Sequence, residues 1–134
     1  VVHDKRNIYF YVECASELTA ADESAWMRLF IDVDRNRESG WEGYDFVVNR
    51  EFSVLESNLG AWRWDMISQV KVAYSGRCME ISIPLADLGI EPNVGFEIEF
   101  KWVDNTQHDG DVYDFYLSGD VAPLGRFNYL YRAK

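Results

Sequence analysis

Alternation of apolar and polar residues over short segments is the feature that most constrains how this chain can fold. In "GFEIEFKWVD" an apolar residue occupies every second position from Phe96 to Trp102, with charged residues in between. Neighbouring side chains of a β-strand point to opposite faces of the sheet, so this pattern predicts a strand with one buried face. Comparable patterns predict further strands in "NIYFYVEC", "AWMRLFID", "YDFVVNR", "FSVLE", "ISQVKVAYS", "RCMEISIPL", "DVYDFYLS" and "RFNYLYR". About nine strands separated by turn residues indicate an antiparallel β-sandwich of jelly-roll or immunoglobulin-like type.

Turn and cap residues divide the chain between these strands. The segment "ISQVKVAYSGRCMEISIPL" reads as a hairpin whose strands meet at Ser75 and Gly76, where glycine supplies the positive φ that tight turns require. Helix signals are confined to two single turns. One lies in "TAADESAW" with Thr19 as its cap, and the other lies in "PLADLGI", opened by Pro84 and ended by Gly89.

Length and charge narrow the class of protein. The 134 residues fit one domain, residues 1–134, which at this size buries about two-thirds of its unfolded surface and needs no metal or disulfide for a core. The net charge of −10 repels phosphate backbones and argues against nucleic acid as a partner. No apolar run of about 18 residues is present, which argues against membrane insertion. The chain enters a strand almost at once, so we expect it to be a fragment of a longer protein.

The two cysteines are predicted to be free thiols. Alternation in "IYFYVEC" places Cys14 on the apolar face of its strand, whereas in "CMEISIP" Cys78 points away from the apolar face. If both apolar faces line the same core, the two sulfur atoms do not meet. The cysteine content therefore leaves the redox compartment open.

The acidic stretch "IDVDRNRESGWEGYDF" is a candidate metal-binding loop. Asp32, Asp34 and Asn36 occupy alternate positions, and a curling loop can aim three such oxygen ligands at one calcium ion. An EF-hand is excluded because Arg37 and Gly43 stand where its glycine and glutamate belong. The alternative is a polar loop whose carboxylates cap turn amides.

A second acidic cluster lies in "DNTQHDGDVYD". If the strands before the two acidic loops end on the same side of the sandwich, both clusters share one edge of the domain. The alternative is a solvated loop with strong turn chemistry at "HDGD". The cluster consists of Asp104, Asn105, Asp109, Asp111 and Asp114.

Aromatic residues make up 16% of the chain, more than a core of this size easily absorbs. Trp41 lies in "GWEGY" between glycine-containing turns, so we expect it to be partly exposed. Trp62 and Trp64 in "AWRWD" lie on the same side if that segment is extended. A flat indole can stack on the C–H face of a sugar while polar neighbours bind its hydroxyls. Trp102 is expected to be core, because it continues the alternation of its strand.

Arg126 is a further candidate for ligand binding, and the sequence gives little support to catalysis. Arg126 begins the last predicted strand and is expected to pair with Asp45 or Asp120, the alternative being a grip on ligand hydroxyls. His3 and His108 fit no metal-ligand or triad pattern, and nucleophile and phosphate-loop motifs are absent. Paired carboxylates are numerous, so a two-acid hydrolase stays open on residue count alone.

The order of the segments "NIYFYVE", "WMRLFIDVDRN", "GYDFVVN", "CMEISIPLADLG" and "GFEIEFKWVDN" resembles carbohydrate-binding modules of family nine and the related DOMON-like sandwiches. The resemblance implies a β-sandwich that binds sugar ends between aromatic rings and commonly holds a structural calcium. It places Asp32 at the end of the "FID" strand, Asn49 after the "y.v" strand and Glu80 before "IP". Arg28 departs from the family, whose modules often carry an acid there, and the late tryptophan of the sugar site has no clear counterpart.

The sequence thus predicts a non-catalytic carbohydrate-binding module of a larger secreted or surface protein, of bacterial type, with the periplasm as the alternative location. The predicted ligand-binding residues are Trp41, Tyr44, Asp45, Asn49, Trp62, Trp64 and Arg126, and the predicted calcium ligands are Asp32, Asp34 and Asn36. Two alternatives stay open. One is a structural or interaction domain that packs on a neighbouring catalytic domain, and the other is a small glycan-active enzyme with two carboxyl groups facing across a groove.

Overall fold

A computed structural model describes residues 1–21, 23 and 25–134 of the chain. These residues form mainly antiparallel strands arranged in two sheets, which confirms the predicted all-β, sandwich-like fold. The strands are β1 (Val2–His3), β2 (Asn7–Glu13), β3 (Arg28–Asp32), β4 (Phe46–Val48), β5 (Val54–Asn58), β6 (Trp64–Gln69), β7 (Lys71–Ser75), β8 (Cys78–Pro84), β9 (Phe96–Asp104), β10 (Asp120–Ala122) and β11 (Tyr129–Ala133). A 3₁₀ turn spans Leu85–Leu88, and a helical turn of π type spans Asp114–Ser118.

The two sheets differ in size and in how their edges are built. The smaller sheet has the strand order β1-β2-β8-β7, and the larger has the order β6-β5-β4-β3-β9. The free edge of β9 is then shared by two short strands. Strand β11 pairs with residues Phe96 to Phe100, and β10 pairs with residues Trp102 to Asp104. Lys101 is left between them, opposite the connection from β10 to β11.

The main core lies between the two sheets and is built from the alternating faces that the sequence predicts. Ile8 and Phe10 of β2 meet Ile98 and Phe100 of β9 across the sandwich, and the Phe10 and Phe100 rings contact each other edge to face at 5.2 Å. Trp102 is 3% exposed and belongs to this core, as expected. Burying these apolar faces is the main source of stability for the sandwich.

A second aromatic core covers the other face of the larger sheet. Phe30 of β3 and Val103 of β9 point to this side, away from the main core, and loop residues from two parts of the chain pack over them. Strands β3 and β9 are therefore covered on both faces, and all five residues of β3 are buried. The members of this second core are Phe30, Trp41, Tyr44, Val47, Val103, Phe115 and Tyr116.

The chain changes sheets in a segment predicted to be one continuous strand. Strand β6 ends at Gln69 in the larger sheet and β7 begins at Lys71 in the smaller one, with buried Val70 between them. The prediction of a single strand was wrong because alternation continues across this corner. The hairpin of β7 and β8 is confirmed, but its turn residues are Gly76 and Arg77, since Ser75 pairs with Cys78.

The segment "DVYDFYLS" was predicted to be a strand and is helical. The Asp111 carboxylate accepts the backbone N–H of Tyr113 at 2.9 Å, and the N–H of Phe115 donates to the Asp111 carbonyl at 3.0 Å. A helical turn lets the neighbouring Phe115 and Tyr116 both pack into the second core, which a strand would not allow. The segment that follows this helical turn contains β10, a strand that the sequence pattern did not predict.

The remaining local predictions have mixed outcomes. The turn Leu85–Leu88 follows Pro84 and ends at Gly89, whose φ of 70° gives the left-handed cap that glycine favours. The turn predicted in "TAADESAW" includes residues 22 and 24, which lie outside the described residues. Cys14 and Cys78 are free thiols. Among the described helical segments, none has the length and apolar character needed to cross a membrane.

Candidate functional site

Trp41 is a core residue, and its predicted partial exposure was wrong. Its side chain is 6% exposed and lies against Phe30, Trp62 and Phe115, with ring centroids 5.8, 4.5 and 4.9 Å away. Trp41 and Tyr44 exchange backbone hydrogen bonds of 3.0 and 2.9 Å, which closes a tight turn and folds both rings towards the sheet. The neighbouring glycines therefore make the turn and do not expose the indole.

Tyr44 and Asn49, both predicted to bind ligand, are completely buried. The Tyr44 hydroxyl donates to Asn128 Oδ1 at 2.6 Å, and burial raises the pKa of this phenol above its usual range. Asn49 Nδ2 donates to the Met27 carbonyl at 3.2 Å, and its Oδ1 accepts the backbone N–H of Ser53 at 3.0 Å. Both side chains are used inside the fold, so neither presents a polar group to solvent.

Trp62 and Trp64 are half-buried at the margin of the second core and lie on the same side, as predicted. Their rings are nearly perpendicular, with centroids 5.5 Å apart. The guanidinium of Arg50 lies 5.4 Å from the centroid of the Trp62 ring. These two indoles are the predicted aromatic ligands that keep surface at the solvent.

Arg126 is exposed, and its guanidinium lies over the ring of Tyr116 at 5.7 Å from the centroid. The predicted pairing with Asp45 or Asp120 is not among the ion pairs within the described part of the chain. Arg126 therefore packs on the edge of the second core, where a cation is attracted by the electron-rich aromatic face.

Three carboxylates converge where β3 ends and β4 begins. One oxygen from each of Asp32, Asp34 and Asp45 lies within 4.8 Å of the other two. The pairing of Ile31 with Phe46 explains how Asp45 joins the group, because in antiparallel strands it places Asp32 and Asp45 opposite each other. We call these three residues the acidic triad.

Hydrogen bonds from the loop hold the acidic triad in place. The Asp32 Oδ1 atom accepts the N–H of Arg35 at 2.6 Å, and Asp45 Oδ2 accepts the N–H of Val33 at 2.9 Å. The Ser39 hydroxyl contacts both oxygens of Asp34, at 3.0 and 2.9 Å. The triad is thus fixed by its own loop, which reduces the entropy lost when a ligand binds.

Asp32 is the unusual member of the triad. Its side chain is 0% exposed, and its Oδ2 atom is buried without a hydrogen-bond partner. Burial raises the pKa of Asp32 to about 6; the Arg35 N–H opposes this rise, and the negative charges of Asp45 and Asp34 add to it. Burial likewise raises the pKa of Asp45. The fold therefore holds carboxylates in a buried position, where their ionised form is energetically unfavourable.

Asn36, the third predicted calcium ligand, shapes the same loop. Its Oδ1 accepts the N–H of Glu38 at 3.0 Å, and its own N–H donates to Asp34 Oδ1 at 2.8 Å. Asn36 stays a predicted ligand. Sequence reasoning missed Asp45 as a member of the acidic triad because the signal for it is the register of β3 and β4, which spacing along the chain does not reveal.

The second acidic cluster is divided among separate structural roles. Asp109 forms an ion pair with buried Arg28 at 2.6 Å, and Asp114 Oδ2 accepts two backbone N–H groups, from Gln107 and His108. The cluster also lies at the other end of the strand pair, because Arg28 pairs with Val103 whereas Asp32 pairs with Glu99. The condition under which both clusters would share an edge is therefore not met.

Comparison with protein-family models, with curated proteins and with solved structures gives no match. The resemblance to family-nine modules therefore rests on the sequence pattern alone and stays a prediction.

Proposed function

We propose that this domain is a non-catalytic binding module of a larger secreted or surface protein, stabilised by a divalent cation held by Asp32, Asp34 and Asp45. Calcium is the cation that best suits this set of oxygen donors. The observation that carries the proposal is the Asp32 Oδ2 atom, which is buried without a hydrogen-bond partner beside two further carboxylates.

Electrostatics favours a cation over the alternatives at this position. An uncompensated buried carboxylate is strongly unfavourable, and two neighbouring carboxylates increase the cost. The arginines of the loop do not relieve it, because Arg35 pairs with Glu97 and Glu99, and Arg37 pairs with Glu99. Protonation of Asp32 is the other way to remove the charge, and a pKa of about 6 leaves it mostly ionised at neutral pH.

The donor set suits calcium better than magnesium. Calcium accepts six to eight oxygens in flexible geometry, whereas magnesium demands near-ideal octahedral coordination and gives up its water reluctantly. Three carboxylates on one loop leave room for backbone carbonyls and water to complete a calcium shell. Weak calcium sites are typical of extracellular modules, which is consistent with the proposed location.

Calorimetric melting of the EDTA-treated domain tests the proposal. Calcium should raise the melting temperature in a saturable way, and magnesium should raise it less. Asp45→Asn should remove most of the calcium effect, whereas Asp65→Asn, which changes an exposed carboxylate on β6, should leave it intact. Equal calcium responses in both variants, or no response in the unmodified domain, would refute the cation site.

Carbohydrate is a second candidate ligand, supported by the half-buried Trp62 and Trp64. Two indoles at the surface, with Arg50 beside one of them, combine an apolar face with a hydrogen-bond donor, as sugar recognition requires. Trp41 supports Trp62 from inside the fold, with ring centroids 4.5 Å apart, whereas the buried Tyr44 and Asn49 contribute no surface.

A glycan array probed with the calcium-loaded domain tests this candidate. Trp62→Ala should abolish any binding, and Trp26→Phe, on the opposite side of the sheet in the main core, should leave it unchanged. Uniform failure of the unmodified domain on the array would favour the alternative of a spacer that packs on a neighbouring domain.

A further inference from the structure

A cleft at the opposite end of the domain from the acidic triad has no role in the function proposed above. It encloses about 510 Å³ and lies between the end of β2 with its following loop and the strands β9 and β10. Its apolar wall includes Val12, Met27, Trp102 and Ala122. A volume of this size lies within the range of small-molecule sites.

Every charged side chain that the described part of the chain places in the lining of this cleft is acidic: Glu13, Glu17, Asp104 and Asp120. Glu13 forms an ion pair with Arg77 at 2.9 Å, which compensates part of its charge. The other three take part in none of the ion pairs within residues 1–21, 23 and 25–134. Two of them, Asp104 and Asp120, lie opposite each other in the pairing of β9 with β10.

Two further observations describe the negative charge in the cleft. Asp104 is nearly buried, and its two oxygens accept the N–H groups of Thr19 at 3.3 Å and Asn105 at 2.9 Å, which fix the carboxylate. The Cys14 thiol, which also lines the cleft, has its pKa raised by burial and by the charges of Asp104 and Asp120. A negative potential therefore extends into the cleft.

The geometry points to a small organic cation, an ammonium group carried on an apolar body, as the ligand of this cleft. An anion would meet repulsion from every charged side chain of the lining. A bare metal ion would use the carboxylates and leave the apolar wall unoccupied, and a neutral apolar molecule would cover the carboxylates without pairing them. Only an amphiphilic cation complements both parts, and the net charge of −10 favours its approach.

Choline and its neutral isostere 3,3-dimethylbutan-1-ol test the proposal, because the two differ in charge and hardly in shape. Both are titrated into the ¹⁵N-labelled domain in EDTA, so that no metal ion competes for the cleft carboxylates, and amide shifts near the acidic triad are scored separately from those near the cleft. Choline should shift the amide signals of β10 and of the loop after β2, with an affinity at least about tenfold above that of the isostere.

Asp120→Asn should weaken choline binding by about three- to tenfold, while Asp65→Asn on exposed β6 should not change it. Glu17→Gln provides a second variant if the change in β10 disturbs folding. Equal affinities for choline and the isostere, shifts that map elsewhere, or no shift with choline would each overturn the proposal.

Discussion

Two charged side chains in the larger sheet, Lys101 of β9 and Asp32 of β3, are both 0% exposed. Lys101 has its charge compensated within the chain, because its Nζ donates to the carbonyls of Pro123, Gly125 and Phe127 at 2.5, 2.7 and 2.9 Å. An ammonium group has three N–H donors, so Lys101 is fully satisfied. Asp32 has one oxygen bonded to Arg35 and the other without a partner.

The difference separates a residue whose polar atoms are all satisfied within the fold from one that keeps an unsatisfied oxygen. Burial disfavours the charged form of both, lowering the pKa of Lys101 to about 8 and raising that of Asp32 to about 6. Lys101 uses all three of its N–H donors within the fold, and these bonds fasten the connection between β10 and β11. Asp32 keeps one buried oxygen without a hydrogen-bond partner, where the proposed cation would bind, and the following predictions test that contrast.

Lys101→Met should have the largest effect. The substitution keeps the apolar stem but leaves three carbonyls without their donor, so the free energy of unfolding should fall by about 3 kcal/mol or more. Urea unfolding measures the change. Lys71→Met, on exposed β7, is the matched control and should alter stability by no more than about 0.5 kcal/mol.

If Lys101→Met is as stable as Lys71→Met, the three carbonyls are satisfied by water, and the lysine does not tether the connection between β10 and β11. The contrast with Asp32 would then disappear, because both buried charges would be poorly compensated.

Asp32→Asn should have a smaller effect whose sign depends on calcium. In EDTA the variant should be more stable than the unmodified domain by about 1–2 kcal/mol, because the amide is uncharged and its oxygen can still accept the Arg35 N–H. In excess calcium the order should reverse, since the carboxylate binds the ion more tightly than the neutral amide oxygen. Urea unfolding of both proteins under both conditions gives the four free energies. A variant that is less stable even in EDTA would mean that the carboxylate has a compensating partner inside the fold.

Much of the scaffold was predictable from alternation, because a strand buried on one face must repeat every second residue. Strand β2 follows this rule closely, whereas β9 alternates in sequence although its C-terminal half is buried on both faces. The crossing between sheets at Val70 was not predictable, since alternation reports which face a residue occupies and carries no information about which sheet a strand joins. The burial of Trp41 was missed for a related reason: its glycine neighbours indicate a turn, but only the packing of Phe115 over the outer face of β3 shows that the turn folds inward.

The candidate site was partly predictable. Asp32 and Asp34 belong to one short loop, so their spacing in the sequence was sufficient to suggest a cation. Asp45 is separated from them by a turn, and its approach depends on the pairing of Ile31 with Phe46. The unpartnered oxygen of Asp32 is a property of the folded packing and has no sequence signal.

The pH dependence of stability in EDTA gives the smallest predicted effect. The pKa of Asp32 is about 6 in the folded domain against an ordinary 3.8, so the folded state binds the proton more tightly than the unfolded state. Stability should therefore increase as pH falls through about 6, with the gain complete below 3.8. Between pH 7 and pH 5 the Asp32 contribution is about 1 kcal/mol.

Raised pKa values at Asp45 and Glu56 act in the same direction, so the measurement that isolates Asp32 is the difference between the unmodified domain and Asp32→Asn. That difference should shrink by about 1 kcal/mol on acidification in EDTA. In excess calcium the unmodified domain should instead lose stability over the same range, because protons compete with the ion for the same oxygens. An identical pH profile for both proteins in EDTA would show that Asp32 is not held as an uncompensated charge, which would remove the physical basis for a cation at this loop.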